Sequence, residues 1–378
     1  MSGANVQEPL DLGFPTKVHA SDPNELRPLI EARVGAHFPE RRHLRVVHIE
    51  VPGGAGVANE TLLLALEWDG GSGGVVMRID TDDPLFIYPP FELHYRLYET
   101  VGKLLLAPVP QMFGLELDDS PMGRPFFLME RMTGQVPNEQ PLFHSAGWMH
   151  ETTPAERRAM WRDTVEKMAR LHQMPLEAVA FLERSQLGSS GLEQELNAAL
   201  HYMRLALAQD RHPIVERAAE WLQRNLPANA VTGFSWGDAR PQNVMYRDNR
   251  VVSLFDWDMA SLAGPEADLA WWTVTDYSVT HARGISRIEG WGSPSETIAL
   301  WEELSGRTLR DMEWHFVFAA FRNALALIKL AKMLDAKGHL PAQSAYLKDN
   351  NLGVQYLASM LGLPPISSDS MKWPGLGV

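Results

Sequence analysis

Two acids and an amide pose the chemical question in this chain. Between positions 235 and 260 it runs SWGDARPQNVMYRDNRVVSLFDWDMA, with Asp238 five residues before Asn243 in a loop punctuated by arginine and proline. The runs MY and VVSLF, joined by RDNR, have the pattern of a β-hairpin, which would carry Asp256 and Asp258 back towards that loop. Carboxylates and a carboxamide brought together offer oxygen ligands to a hard cation and leave a further acid to act as a base. Aspartate and asparagine also cap ordinary tight turns. That simpler use does not account for Asp256 at the end of an apolar strand.

Composition limits the partners. The chain has 378 residues, enough for about two domains or one large two-lobed unit, and a formal net charge of −13. Such an acidic balance speaks against nucleic acid or an anionic membrane as partner, and suits a neutral or cationic small molecule. There is no cysteine, so thiolate catalysis, zinc held on sulfur and disulfides are excluded. Neither a basic-then-apolar leader nor an apolar run of about 18 residues is found, so a soluble, cytoplasmic protein is expected.

The elements that must position the loop change character along the chain. LRVVHIEV, ETLLLALEW and GGVVMRI read as strands separated by VPGGAGVAN and DGGSGG, and Leu62, Leu64, Leu66 and Trp68 fall on one face. A helix is predicted from 90 to about 101, then two strands within LLLAPVPQMFGLEL and RPFFLMERM. Beyond Gly134 the pattern turns helical. TTPAERRAMWRDTVEKMARLHQMP opens with Thr153 as N-cap, Pro154 at the first helical position and Glu156 completing a capping box. Further helices are predicted over 192–207, 213–226, 265–277, 296–304 and 310–337, and the tail after Leu363 is too rich in proline and glycine for regular structure.

The ordered set WGDARPQN, FDWDMASLAGPEADLAWW, MARLHQMP and FFLMERMTGQ resembles the aminoglycoside phosphotransferase and choline kinase branch of the protein-kinase-like superfamily, over about residues 40–340. The resemblance implies an α+β, two-lobed protein-kinase-like fold. A small antiparallel sheet lobe with one main helix (residues 1–133) would bind nucleotide, and a larger, mostly helical lobe (134–378) would carry the catalytic loop and acceptor site. By the same resemblance Asp238 is the catalytic base, Arg240 neutralises the moving phosphoryl group, and Asn243 and Asp256 hold Mg2+. The turn VPGGAGVANET, with Gly54, Gly56 and Asn59, would lie over ATP, GTP being the other candidate nucleotide. Taken alone it is a plain hairpin turn, since neither a Walker lysine nor a following helix accompanies it. Arg78 stands where protein kinases place a phosphate-binding lysine, as it does in the branch that includes acyl-CoA-dehydrogenase-associated kinases. Its helix partner would be Glu92, with His94 the other candidate, and the backbone from Glu130 to Met132 would meet adenine. Asp268 would brace the catalytic loop rather than react, and a carboxylate in a first helical turn is also favoured by the helix dipole.

Two positions depart from that pattern: Trp236 replaces the histidine before Gly-Asp, and Ala58 replaces a serine of the glycine-rich turn. The implied activity is transfer of the γ-phosphate of ATP to a hydroxyl of a small molecule, first an aminoglycoside-like one. The acids Asp276, Glu289, Glu302, Glu303, Asp311 and Glu313, among Trp271, Trp272, Tyr277, Trp291, Trp301 and Trp314, could line a pocket for a polyamine or quaternary ammonium alcohol. Surface acids and core tryptophans would give the same pattern. The alternatives are another metabolite alcohol (a hydroxyacyl thioester, a choline-like alcohol or a sugar) and, in a different class, a kinase-like module that binds without catalysing.

Overall fold

The computed structural model describes residues 25–52, 60–80, 85, 89–117, 123–338, 340 and 342–364. Its first part is a five-stranded antiparallel sheet, β1 (Arg45–Glu50), β2 (Glu60–Trp68), β3 (Gly71–Ile79), β4 (Met112–Glu116) and β5 (Phe126–Glu130), in the order β1-β2-β3-β5-β4. The alternation in β2 places Leu62, Leu64 and Leu66 at 1% exposure or less. They pack with Val75, Met77, Phe126 and Leu128 beneath α1 (Arg27–His37), which contributes Ile30 and Val34. Burying each such leucine contributes about 1.5–3 kcal/mol. The opposite face, carrying Val76, Phe127 and Met129, is covered by Leu97, Tyr98 and Val101 of α2 (Phe91–Leu104). One helix on each face makes β3 buried on both sides from Val75 to Ile79. That double cover lets the strand carry a charged residue, Arg78, inwards.

The first helix was not among the expected elements; its apolar signal is two residues one turn apart, too short to stand out from a loop. The main helix begins at Phe91, one residue after the expected start, with Pro90 as its N-cap.

The chain leaves the sheet at Glu130 and is latched at once onto a two-stranded hairpin, β6 (Val244–Arg247) and β7 (Arg250–Leu254). Gln135 and Tyr246 exchange backbone hydrogen bonds, both of 2.8 Å. Gly134 permits this approach, since a Cβ there would lie 2.7 Å from the Tyr246 carbonyl oxygen. The helical part comprises α3 (Pro154–Leu171), α4 (Gly191–Leu207), α5 (Pro213–Arg224), α6 (Pro265–Val279), α7 (Pro294–Ser305), α8 (Met312–Ala336) and α9 (Leu352–Met360). Two cores divide it. One joins α3 and α7 to Phe234, Trp236, Trp257 and the α2 face of the sheet; the other gathers α4, α5, α6 and α9 around Phe318, Phe321, Leu325 and Ile328 of α8. None of the described helices is long and apolar enough to cross a membrane.

The predicted capping box is present: Thr153 Oγ1 accepts from the Glu156 N–H at 3.3 Å, and Glu156 Oε2 accepts from the Thr153 N–H at 2.7 Å. Thr153→Ala is expected to lower stability by about 1 kcal/mol in urea unfolding. An unchanged midpoint would mean that the cap contributes nothing.

Candidate active site

The loop 235–243 is shaped around one carboxylate. Asp268, in the first turn of α6 and fully buried, accepts from the Ser235 hydroxyl (2.8 Å), the Trp236 N–H (2.6 Å) and the Gly237 N–H (2.8 Å). His172 Nε2 lies 2.8 Å from its Oδ2, and Trp301 Nε1 in turn donates to His172 Nδ1 at 2.9 Å, which fixes the ring with its proton towards the acid. Gly237 takes a φ of +91°, and a Cβ on it would stand 1.9 Å from the Met259 carbonyl oxygen. Only glycine lets the loop pass this close to the segment after Asp258. Trp236, where the resembling family has histidine, keeps a polar tie of its own: its Nε1 donates to the Phe255 carbonyl at 2.8 Å while the ring packs against Trp257.

Asp238 emerges from this braced turn with both oxygens engaged. Oδ1 accepts from Trp271 Nε1 at 2.6 Å, and Oδ2 accepts from Asn243 Nδ2 at 2.7 Å and Arg240 Nε at 3.1 Å. Asn243 Nδ2 also donates to the Asp238 carbonyl at 2.9 Å, so its bonds to Asp238 use the amide nitrogen and leave Oδ1 as a potential ligand. Arg240 also meets Glu139 at 2.8 Å. Burial works against its charge, but the Asp238 and Glu139 carboxylates outweigh that and hold its pKa above the ordinary value.

Asp256 follows the hairpin with a φ of +58°, a left-handed conformation that aspartate tolerates better than most residues. Half-buried, it is pushed up to about 7 first by burial and then by Asp258, with Asp238 adding to the rise and Arg78 and Arg240 opposing it. The sequence-predicted trio Asp238, Asn243 and Asp256 is therefore brought together, and the excess of negative charge is of the kind a divalent cation relieves. Among the described residues no three His, Asp or Glu side chains form a closed metal cage. Asn243 Oδ1 and one carboxylate instead suit Mg2+, which keeps waters and substrate phosphate oxygens in its shell.

Arg78 is not paired as predicted. Its Nη2 donates to Asp258 Oδ2 at 2.9 Å, and His94 Nδ1 lies 3.2 Å from Asp258 Oδ1, both contacts buried. Glu92, the expected partner, sits half-buried at the start of α2, while His94, two residues on, faces inward. Burial lowers the His94 pKa, with Asp258 opposing and Arg78 adding. The acid of this pair thus comes from the segment after the hairpin and not from the helix. The adjoining pairing of Asp256 with Asp258 in DWD was the available signal, but it did not say which of the two would turn towards β3.

Of the other predicted residues, Gly54, Gly56, Ala58 and Asn59 lie outside the described residues. Glu130 ends β5, with its N–H donating to the Gln111 carbonyl at 2.8 Å; among the described residues no hydrogen bond uses the Met132 N–H.

The acidic and aromatic residues considered for an acceptor pocket are not assembled into one. Asp276 is held by two hydrogen bonds from Arg287; Glu289, Glu303, Asp311 and Glu313 are exposed; and Glu302 accepts from the Leu309 N–H. The five tryptophans are buried in the cores, where Trp301 and Trp314 spend their N–H groups on His172 and the Leu222 carbonyl. Asp276 and Tyr277 do share one open hollow with His281 and Tyr356.

A model of the phosphotransferase enzyme family matches residues 68–306, a span that includes Arg78, the braced loop and Asp256. The chain belongs to the phosphotransferase enzyme family. Among curated proteins it is similar to acyl-CoA dehydrogenase family member 11 of Homo sapiens, 27% identical over 252 residues, which is 65% of this chain and 30% of that protein. The chain thus spans under a third of the length of this relative. Among solved structures it is similar to a proposed aminoglycoside phosphotransferase from Ralstonia eutropha JMP134, at 21% identity and a TM-score of 0.64, covering 88% of this chain and 98% of that one. A thermostable mutant of aminoglycoside phosphotransferase APH(4)-Ia, in ternary complex with ADP and hygromycin B, aligns at 13% identity and a TM-score of 0.53 over 88% of this chain and 98% of that one. These likenesses show the kinase-like two-lobed α+β fold.

A carboxyl whose pKa rises on folding weakens the fold as pH increases between its unfolded and folded values, because the folded state then holds the extra proton. For Asp256 that window runs from the ordinary 3.8 to about 7. Without metal, the stability gained by Asp256→Asn over wild type should therefore grow from pH 4 to pH 7 and then level off, as read by denaturant unfolding across that range. A constant difference between the two proteins would show that Asp256 is not perturbed. Asparagine is the substitution of choice because it also accepts the positive φ.

Proposed function

We propose that this protein transfers the γ-phosphate of ATP, with Mg2+, to a hydroxyl of a small molecule, using residues 1–133 as the nucleotide lobe and 134–378 for catalysis and acceptor binding. The observation that carries this reading is the convergence of Asp238, Asn243 and Asp256, with Asn243 hydrogen-bonded to Asp238. The purine would meet the backbone at Glu130–Met132, where the Met132 N–H has no hydrogen-bond partner among the described residues; the same backbone would serve GTP. Gly54, Gly56 and Asn59 remain the candidates for covering the phosphates.

Phosphoryl transfer asks the protein for position and charge more than for covalent chemistry. The acceptor oxygen attacks the γ-phosphorus, the bond from that phosphorus to the β,γ-bridging oxygen breaks, and ADP leaves. Asp238, held by Trp271, Asn243 and Arg240, orients the hydroxyl and takes its proton. Arg240, raised in pKa and so positive throughout the neutral range, faces the charge that moves with the phosphoryl group. Mg2+ held by Asn243 and Asp256 would neutralise the phosphate oxygens. Arg78 serves the same lobe from beneath, anchored by Asp258 rather than by Glu92.

For the acceptor, the dispersal of the acidic residues removes the sequence basis for an aminoglycoside and favours another metabolite alcohol. A catalytically idle binding module is disfavoured by the intact Asp238, Asn243 and Asp256 trio.

Asp238→Asn keeps the shape and most of the hydrogen bonds but removes the proton acceptor. Turnover on a panel of alcohols should fall by about 10² or more with nucleotide affinity nearly unchanged. Full activity in this variant would end the mechanism. Independently, Mg2+ should tighten AMP-PNP binding in the wild type but not in Asp256→Asn, as followed by calorimetry; equal tightening in both would remove Asp256 from the metal site.

A further inference from the structure

A cavity of about 50 Å³ lies between α4, α8 and the chain after Asp258. Arg184, Glu195, Tyr202, Met259 and Arg322 are among the residues that line it. Arg184 is neutralised by a close ion pair with Glu195. Arg322, from the middle of α8, makes no ion pair among the described residues. Its guanidinium lies 5.0 Å from the centre of the Trp271 ring, 5.8 Å from that of Phe318, and 3.5 Å from the Gly237 carbonyl, a weak contact at best. Among the described lining residues, two guanidinium groups and one carboxylate leave one positive charge in excess. Burial lowers the Arg322 pKa to about 10 against the pull of Asp268 and Asp238, and Arg184 is lowered by burial and then by Arg322. Both stay charged at neutral pH. Arg322 is half-buried, and no carboxylate among the described residues lies within ion-pair distance of it, so an anion entering the cavity would complete its pairing.

The position of this charge gives it a use. Trp271 has Arg322 over its ring and donates its indole N–H to Asp238 Oδ1, so a group bound at Arg322 is one indole away from the expected base. The cavity is small, about 50 Å³, and a carboxylate or phosphate is compact enough to reach Arg322 there. We propose that this cavity binds an anionic group of the acceptor, so that the alcohols phosphorylated here carry a carboxylate or phosphate a few bonds from the reacting hydroxyl. The inference rests on the phosphotransferase reading and adds to it the charge of the substrate. Arginine is the suitable residue, because its planar fork meets either oxyanion with two parallel hydrogen bonds.

The test uses the full chain in two stages. Titration of AMP-PNP with Mg2+ into wild-type protein reports on the phosphotransferase reading alone. The nucleotide-saturated protein is then titrated with glycerol 2-phosphate, D-glycerate, glycerol and choline, so that the nucleotide's own phosphate contacts are already filled. The two anions should bind more tightly than glycerol and choline. Arg322→Gln should raise their Kd about ten-fold or more while leaving glycerol unchanged, and Arg322→Lys should restore part of the affinity. Glu195→Gln, which removes the carboxylate and frees Arg184, should tighten both anions several-fold, and it gives an answer even if the Arg322 variants fail to fold. On any alcohol that is phosphorylated, the Arg322→Gln effect should fall on KM for anionic acceptors; a merely structural Arg322 would instead lower kcat for every acceptor. Anions bound no better than choline, or anion affinities that ignore both Arg322→Gln and Glu195→Gln, would overturn the proposal even with nucleotide binding intact.

Discussion

A single carboxylate with no exposure to solvent organises the reacting part of this molecule. Asp268 gathers the backbone of Trp236 and Gly237, the hydroxyl of Ser235 and the ring of His172. A charge so deeply buried is tolerable only because every direction around it offers a donor, and hydrogen bonds to a charged acceptor are about twice as strong as neutral ones. The turn cannot relax without stranding that charge. Asp238, the next residue in the chain, therefore inherits a fixed position, and Trp271, one helical turn beyond Asp268 on α6, supplies the N–H that fixes its carboxylate. One helix thus both braces the loop and aims the group that leaves it.

Charges in this site are shared between elements rather than paired off locally. Asp256 feels two other carboxylates and two guanidiniums, and Asp258 is divided between β3 and α2 through Arg78 and His94. The rise in the Asp256 pKa comes first from burial and then from its carboxylate neighbour Asp258. Arg240 is tied to Glu139 and Asp238, whereas Arg322 has no carboxylate partner among the described residues.

Much of this was legible in the sequence where periodicity or spacing was strong. The period-2 pattern of β2, the capping box at Thr153 and the long apolar stripe of α8 each correspond to an observed element. The helices α1 and α9 escaped notice because two to three turns are too short for a helical period to stand out. The trio Asp238, Asn243 and Asp256 could be read because the hairpin between them dictates their return. The partner of Arg78 could not, since a contact across 180 residues depends on how two lobes dock and leaves no local trace. The tryptophans beyond Asp268 show the opposite limit. Their spacing is equally that of a core and of a pocket, and only the packed structure, which buries them and directs their N–H groups to Asp238, His172 and Leu222, separates the two.

The same long-range ion pair has a bearing on how the chain comes into being. During synthesis the sheet is made first, before the Asp258 carboxylate that accepts from Arg78 is translated. At about 5–20 residues per second, the 180 residues that separate it from Asp258 take about 10–40 s to appear. Throughout that interval the α2 face of the sheet lacks the Trp236 and Trp257 side chains that complete its core. The sheet lobe is therefore a poor candidate for an independently stable nascent domain. Final closure of its inner face is reserved for the moment when the second half of the chain has left the ribosome.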